Sequence, residues 1–277
     1  MRKIRIVADS SADILMLDAV DFRSAALRMV TADHEFVDDA YLDVGQMVEY
    51  FSRCKIASHT ACPNTGDYLE AFGNAEEIFC ITITSALSGS YNAACAAKKL
   101  YESEHPDRRV LVIDSRSAGP ELRLAVERMA EEIATGAEYG EICERILNYT
   151  RRTGLFFVLK SMKNLANNGR VSKLTAKIAG VVGICVVGKA SAEGTLQAMS
   201  KCRGETRALE CIVEQLRSEG YRGGRVRIDH CFNESGAITL KEMIERSFAG
   251  AEVAINPCRG LCSFYAEVGG LLVGFEK

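Results

Sequence analysis

Short apolar runs alternate with amphipathic segments along the first half of this chain. Ile4–Ala8, Ile78–Thr84 and Val110–Ile113 are apolar and rich in β-branched residues. Each is closed by a polar turn: Asp9-Ser10-Ser11, Ser85 onward, and Asp114-Ser115-Arg116-Ser117. Runs of that length bounded by turn residues predict buried strands. Apolar residues at helical spacing predict helices over Val44–Ser52, Thr65–Phe72, Tyr91–Tyr101, Glu121–Ala134 and Tyr139–Thr150. Strand–helix alternation predicts an α/β fold with a parallel sheet covered on both faces. Ligands of such sheets sit beyond the carboxyl ends of the strands. The three hydroxyl-rich turns therefore converge on one edge.

A new unit begins near Arg151-Arg152-Thr153-Gly154. Leu155–Leu159, Thr195–Lys201 and Arg225–Asp229 predict strands, and Glu205–Ser218 and Ser235–Arg246 predict helices. The end, Leu261–Phe275, with three glycines and several aromatics, reads as strand and loop. The expected division is residues 1–152, an α/β domain carrying a ligand head-group site, and residues 153–277, a second α/β domain.

The length of 277 residues suits two domains, and 48% hydrophobic with 26% charged residues is an ordinary globular balance. A net charge of −3 offers no bulk attraction for nucleic acid or anionic membrane. The longest apolar stretch, Ile178–Gly188, is too short to cross a bilayer. The opening residues reach Asp9 too early for a signal peptide, so the expected location is cytoplasmic. The eleven cysteines contain no C-x-x-C pair. Scattered in apolar runs, they read as small buried hydrophobes in a reducing compartment, with no metal site and no cofactor.

The richest chemistry lies in Ile78–Cys95, where an apolar strand runs through Ser85, Ser88, Gly89 and Ser90 into an alanine-rich helix. A strand feeding a helix through such a loop aims unpaired N–H groups and the helix dipole at one spot, a place for phosphate or carboxylate. Helix capping by Ser88 or Ser90 is the simpler alternative. Gly183 to Lys189 spells G-x-x-x-x-G-K, but Ala190 stands where a phosphate loop needs Ser or Thr, and four apolar residues between the glycines suit a buried wall. Asn168-Gly169-Arg170 has a turn signature, and Thr60-Ala61-Cys62-Pro63 is a short extended piece because Cys62 precedes proline.

Taken together, these pieces resemble the DegV family of fatty-acid-binding proteins, the acyl carriers of bacterial fatty acid kinase. Asp9-Ser10-Ser11-Ala12-Asp13 is similar to the family's D-S-[ST]-A-D, and Thr60-Ala61-Cys62-Pro63 stands where the family has T-S-Q-P. Gly66-Asp67-Tyr68 matches the following G-[DE]-[FY], and Leu87-Ser88-Gly89-Ser90-Tyr91 is similar to L-S-G-T-Y. Ile113-Asp114-Ser115-Arg116-Ser117-Ala118 resembles I-D-S-K-S-A. Asn168-Gly169-Arg170-Val171-Ser172 resembles G-G-R-I-S, and Arg203-Gly204 falls where the family has R-G before a helix.

The resemblance implies two α/β domains with a long-chain fatty acid between them, its tail in an apolar tunnel and its carboxylate at the junction. It implies that Thr60 and Ser88 donate to the carboxylate, the backbone of Gly89 and Ser90 helps, and Arg170 supplies charge. Without gaps, Tyr265 aligns where the family usually carries a histidine beside the head group. Val268 replaces the proline of the family's G-P-G, and Cys185-Val186 replaces a common lysine-proline. The implied role is an acyl-binding subunit without chemistry of its own. A partner kinase brings ATP and magnesium and docks on a surface that includes Arg203, the lipid serves phospholipid synthesis, and membrane contact is transient. The alternative is an enzyme or transferase acting on a small phosphorylated or carboxylated metabolite at the same anion site.

Overall fold

The computed structural model of the chain describes residues 2–54, 56–172 and 183–277. The first part of the apolar stretch, 178–182, lies outside the described residues. In chain order the N-terminal half runs β1 (Ile4–Asp9), β2 (Asp21–Ala25), β3 (Arg28–Val30), β4 (Glu35–Val37) and α1 (Val44–Arg53). It continues through β5 (His59–Ala61), α2 (Thr65–Phe72), β6 (Glu77–Thr82), α3 (Ser90–Glu104), β7 (Arg109–Asp114), α4 (Pro120–Ala134) and α5 (Tyr139–Tyr149). Strands β2-β1-β6-β7 form one sheet, parallel throughout.

Every residue of β6 is buried, which is why its sequence reads as a continuous apolar run rather than an alternation. The alternation is present in space. Ile6, Ala8, Phe79 and Ile81 pack with Leu122 and Val126 of α4 and Ile142 and Ile146 of α5. Val7, Ile78 and Cys80 pack on the other face with Phe72 of α2 and Ala94 and Ala97 of α3. A small antiparallel sheet, β4-β3-β5, stands beside the main one. The expected parallel sheet is present, although the short strands β2, β3 and β4 carry too few apolar positions to be read from pattern.

The C-terminal half comprises β8 (Thr153–Leu159), α6 (Lys163–Asn167), β9 (Ile184–Ala190), β10 (Leu196–Arg203), α7 (Glu205–Ser218), β11 (Gly224–His230), α8 (Glu234–Ser247), β12 (Ala251–Pro257), α9 (Gly260–Ala266) and β13 (Leu271–Glu276). Its six strands follow the order β10-β9-β8-β13-β11-β12, antiparallel except for β11 with β12. The G-x-x-x-x-G-K segment is strand β9, a buried wall and not a phosphate loop. Leu261–Phe275 departs from the expected strand and loop, because residues 260–266 form α9.

The reason is distant. Asp38, fully buried, accepts hydrogen bonds from the backbone N–H groups of Gly260 and Leu261, both at 2.9 Å. It thereby caps a helix that has no local capping side chain.

Helix α4 holds the two sheets together. It packs on β1 and β6 on one side and on β11 and β13 on the other, and Glu127 and Glu131 pair with Arg227 (2.8 Å) and Arg225 (2.6 Å). Beside it lies a buried acidic pair, one member from each half. Asp13 accepts from the Arg259 N–H at 2.8 Å, while Asp229 accepts from Asn256 at 3.2 Å and lies 3.8 Å from Arg123. Their remaining oxygens, Asp13 Oδ2 and Asp229 Oδ2, are buried without a hydrogen-bond partner, and the Asp229 charge acts on Asp13. Two facing carboxylates cannot both ionise in a buried site, so the pair holds a proton.

Burial pushes Asp229 up to about 6, and burial together with the Asp229 and Asp38 charges pushes Asp13 well up. Folded-state values raised above the ordinary carboxylate mean that the folded chain binds the proton more tightly than the unfolded one. The pair's contribution to stability is therefore complete below about pH 4 and is lost as pH rises through about 6. Asp229→Asn supplies a donor toward Asp13 that needs no proton. Thermal melts between pH 4.5 and 7.5 should decline less steeply in that variant than in the parent. Parallel declines would refute the shared proton.

All eleven cysteines are free thiols, six of them buried, and no helix of the described residues is long and apolar enough to cross a membrane.

Candidate functional site

Between the two sheets lies a cavity of about 150 Å³. One wall is the face of β8 that carries Leu155, Phe157 and Leu159, whose neighbours Phe156 and Val158 point instead into the core beneath α7 and α8. A strand buried on both faces serves core and cavity at once. Leu261, Cys262 and Ala266 of α9 line a second wall, and Leu27 and Ile83 complete the N-terminal side. The lining is mostly apolar, broken by Thr60, Ser88, Gly89, Arg170 and Tyr265.

Thr60 and Tyr265 are hydrogen-bonded, the Arg170 charge acts on Tyr265, and the Arg170 guanidinium bonds the carbonyl of Leu87, next to Ser88. Thr60, held in β5 opposite Met29 of β3, shares a hydrogen bond of 2.8 Å with the Tyr265 hydroxyl at the end of α9. Burial raises the Tyr265 phenol, while the Thr60 hydrogen bond and the nearby Arg170 charge lower it in part. It stays a neutral hydroxyl at physiological pH.

Arg170 reaches this place through the end of α6. Gly169 takes a left-handed backbone, φ 74°, its N–H bonds Ala166 O, and the Arg170 N–H bonds Leu165 O at 2.8 Å. This six-to-one closure stops the helix and turns the next side chain back. The guanidinium then donates to Leu87 O at 3.2 Å and Asn168 O at 2.6 Å. Among the described residues no carboxylate forms an ion pair with it. Among the described residues the half-buried guanidinium, facing the cavity, is held by carbonyl oxygens, an arrangement that can accept an anion.

Ser88 and Gly89 stand where β6 turns into α3. Gly89 caps α3 without a side-chain bond, and the Ser88 hydroxyl accepts from the Ser90 N–H at 3.3 Å. Ser90 does not line the cavity. Its hydroxyl donates to Asp9 at 2.5 Å and meets the Tyr68 hydroxyl at 2.6 Å, both deep in the fold. It anchors the helix start and leaves Ser88 and Gly89 to face the cavity.

The three polar turns do converge. Asp9 accepts from the Ile83 N–H at 2.8 Å, Asp114 from the Ser85 N–H at 3.0 Å, and Thr84 N–H bonds Ser117 O. Arg203 is exposed at the end of β10 and does not line the cavity. Sequence reasoning missed the apolar wall from the C-terminal half, above all Phe157, Leu165 and Leu261. The available signal was the unbroken apolar run of β8, which requires burial on both faces. Among the described residues no group of three or more His, Cys, Asp or Glu side chains is placed to hold a metal.

The model of the family described as "Uncharacterised protein, DegV family" matches residues 3–277. The chain belongs to the DegV family. A DegV domain-containing protein of Streptococcus pneumoniae strain R6 is 44% identical over 276 residues, covering 98% of each chain. Two solved DegV structures are similar throughout. One is a DegV family protein from Eubacterium eligens loaded with heptadecanoic acid, with TM-score 0.97, 43% identity and 99% of each chain covered. The other is the Fatty Acid Kinase (Fak) B3 protein of Streptococcus pneumoniae loaded with linoleic acid, with TM-score 0.97 and 44% identity. The match covers 100% of this chain and 99% of that one.

Proposed function

We propose that this DegV protein binds a long-chain fatty acid in the cavity between its two sheets and presents the carboxylate to a fatty acid kinase. The carrying observation is an apolar cavity lined also by Thr60, Ser88, Tyr265 and Arg170, a cation without a carboxylate partner among the described residues. The fatty acids carried by the E. eligens protein and by the pneumococcal Fak B3 protein support the ligand class. The name of the second supports the kinase partner. Thr60, Ser88, the backbone of Gly89, Arg170 and Tyr265 hold the head group, and Arg203 lies on the docking surface.

The chain contributes no chemistry; the partner brings ATP and magnesium. Residues 1–152 and 153–277 act as two units around the ligand. Tail burial drives binding, roughly 0.8 kcal/mol per methylene, so a sixteen-carbon tail gains on the order of 10 kcal/mol before ordering costs. The head group then fixes orientation and hands the carboxylate outward. An enzyme for a small charged metabolite fits less well, because such a ligand leaves most of the apolar wall unused.

Protein purified from a bacterial host should carry a long-chain fatty acid near one per chain. Native mass spectrometry should show the added mass and its loss on solvent extraction. With a fatty acid kinase catalytic subunit and ATP, the loaded protein should yield acyl phosphate. Arg203→Ala should depress that yield while leaving fatty-acid affinity within about twofold. A ligand-free protein that refuses added long-chain acids would overturn the reading.

A further inference from the structure

One wall residue of the cavity rests on an absence. Gly188 in β9 lies directly opposite Phe157 in β8, on the antiparallel ladder between them. A Cβ at Gly188 would fall 2.2 Å from Phe157 Cζ and 2.5 Å from Cε2, so the ring occupies the place a side chain would fill. Aromatic rings fold over a facing glycine in this way when the glycine alone makes room. Gly188 is φ-ordinary and has no turn to make. Its close contacts are the ring and the Gln197 carbonyl oxygen, 2.5 Å from the same Cβ position. That carbonyl belongs to β10, whose register slips between Ala198 and Ser200, immediately past the Ala198–Gly188 pair.

Phe157 is buried, and its side chain also lines the cavity, beside Leu155 and Leu159. The ring thus lies over Gly188 and borders the cavity, within a cluster that includes Met162, Leu165 and Val186. A side chain at position 188 would have to displace the ring, and a ring displaced toward the cavity narrows it. Packed walls accept such displacement only by yielding volume to it.

We propose that Phe157, seated on Gly188, sets the bulk of the acyl tail this protein accepts. The inference rests on the fatty-acid reading above and names its selectivity device. Straight saturated tails need the least width at the ring, and a tail bent by a cis double bond needs more. The glycine keeps the protein open to the bent tail.

The test compares palmitic and oleic acid, each displacing a fluorescent fatty acid from delipidated protein. Gly188→Ala should weaken oleic acid about tenfold more than palmitic acid, the scale on which apolar pockets discriminate a small change of bulk. Phe157→Leu removes the ring and should shift the ratio of affinities the other way, by about threefold or more. In the double variant the ratio should follow Phe157→Leu, since alanine no longer has a ring to lift.

Circular dichroism establishes that each variant is folded. Because the Gln197 carbonyl also crowds position 188, Phe157→Leu carries the test by itself if Gly188→Ala does not fold. An unchanged ratio in folded Phe157→Leu would overturn the inference while leaving fatty-acid binding intact. A parent that binds neither acid would overturn the fatty-acid reading itself.

Discussion

Asp9→Ala should cost the folded protein on the order of 3–5 kcal/mol, enough to leave it marginal or unfolded. Asp9 ends β1 with no exposed surface, and both carboxylate oxygens are fully engaged. Oδ1 accepts from the Ser11 hydroxyl (2.5 Å) and N–H (3.3 Å), and Oδ2 accepts from the Ile83 N–H (2.8 Å) and the Ser90 hydroxyl (2.5 Å). Burial raises its proton affinity, and these four donors oppose the rise. Alanine leaves several buried donors unpaired, each costing about 1–3 kcal/mol. Asn is no remedy, because its amide NH₂ would face donors at one of the two oxygen positions.

The comparison is Asp43→Ala, an exposed cap of α1 that accepts from Gln46 N–H at 2.9 Å and should cost about 1 kcal/mol. Urea unfolding of both variants followed by far-UV circular dichroism gives the two values. A smaller loss for Asp9→Ala than for Asp43→Ala would show that the buried network contributes nothing. The consequence for the site is direct. Through Ser90 the same carboxylate holds the start of α3, and with it Ser88 and Gly89 at the cavity.

Arg170→Ala should weaken fatty-acid binding by about tenfold to a hundredfold, the range of a charge-assisted hydrogen bond of 1.5–3 kcal/mol. The fold should survive, since among the described residues Arg170 donates to two carbonyls and the closure of α6 is made by backbone groups of Gly169 and Arg170. Arg170→Lys should fall between, keeping the charge and losing the fork. Thr60→Ala should cost less, about 0.5–1.5 kcal/mol, because its hydroxyl is already shared with neutral Tyr265. Raising the salt concentration should weaken the parent and leave Arg170→Ala nearly unaffected, which separates charge from packing. Isothermal titration of one long-chain acid into delipidated variants measures the set. Parental affinity in Arg170→Ala would place the carboxylate elsewhere.

Pattern alone was strong where a segment satisfies its own requirements. Helices Thr65–Phe72 and Glu205–Ser218 lie where their spacing predicts them. In α2, Asn64 and Asp67 form a complete capping box within three residues. The parallel sheet follows from β1, β6 and β7, whose apolar runs must be covered on both faces. The hydroxyl loop at Ser85–Ser90 was legible as a strand-to-helix turn for the same reason, and its Ser88 and Gly89 line the cavity.

The rest belongs to contacts between residues far apart in the chain. Helix α9 was unreadable because its cap, Asp38, lies 222 residues before Gly260. Which of the serines faces the cavity depends on Asp9, which engages Ser90 across 81 residues and leaves Ser88 free to line it. The direction of Arg170 depends on Leu87, 83 residues away, and the lie of Phe157 on a glycine in the neighbouring strand. Local propensity and periodicity act over one turn or one pleat, so the chain itself determined the elements that satisfy their own requirements and the parallel sheet they build. Close packing and the pairing of buried polar groups act only once distant segments meet. Tertiary structure alone therefore decided which hydroxyls face the cavity, how Arg170 points, and how wide the cavity is.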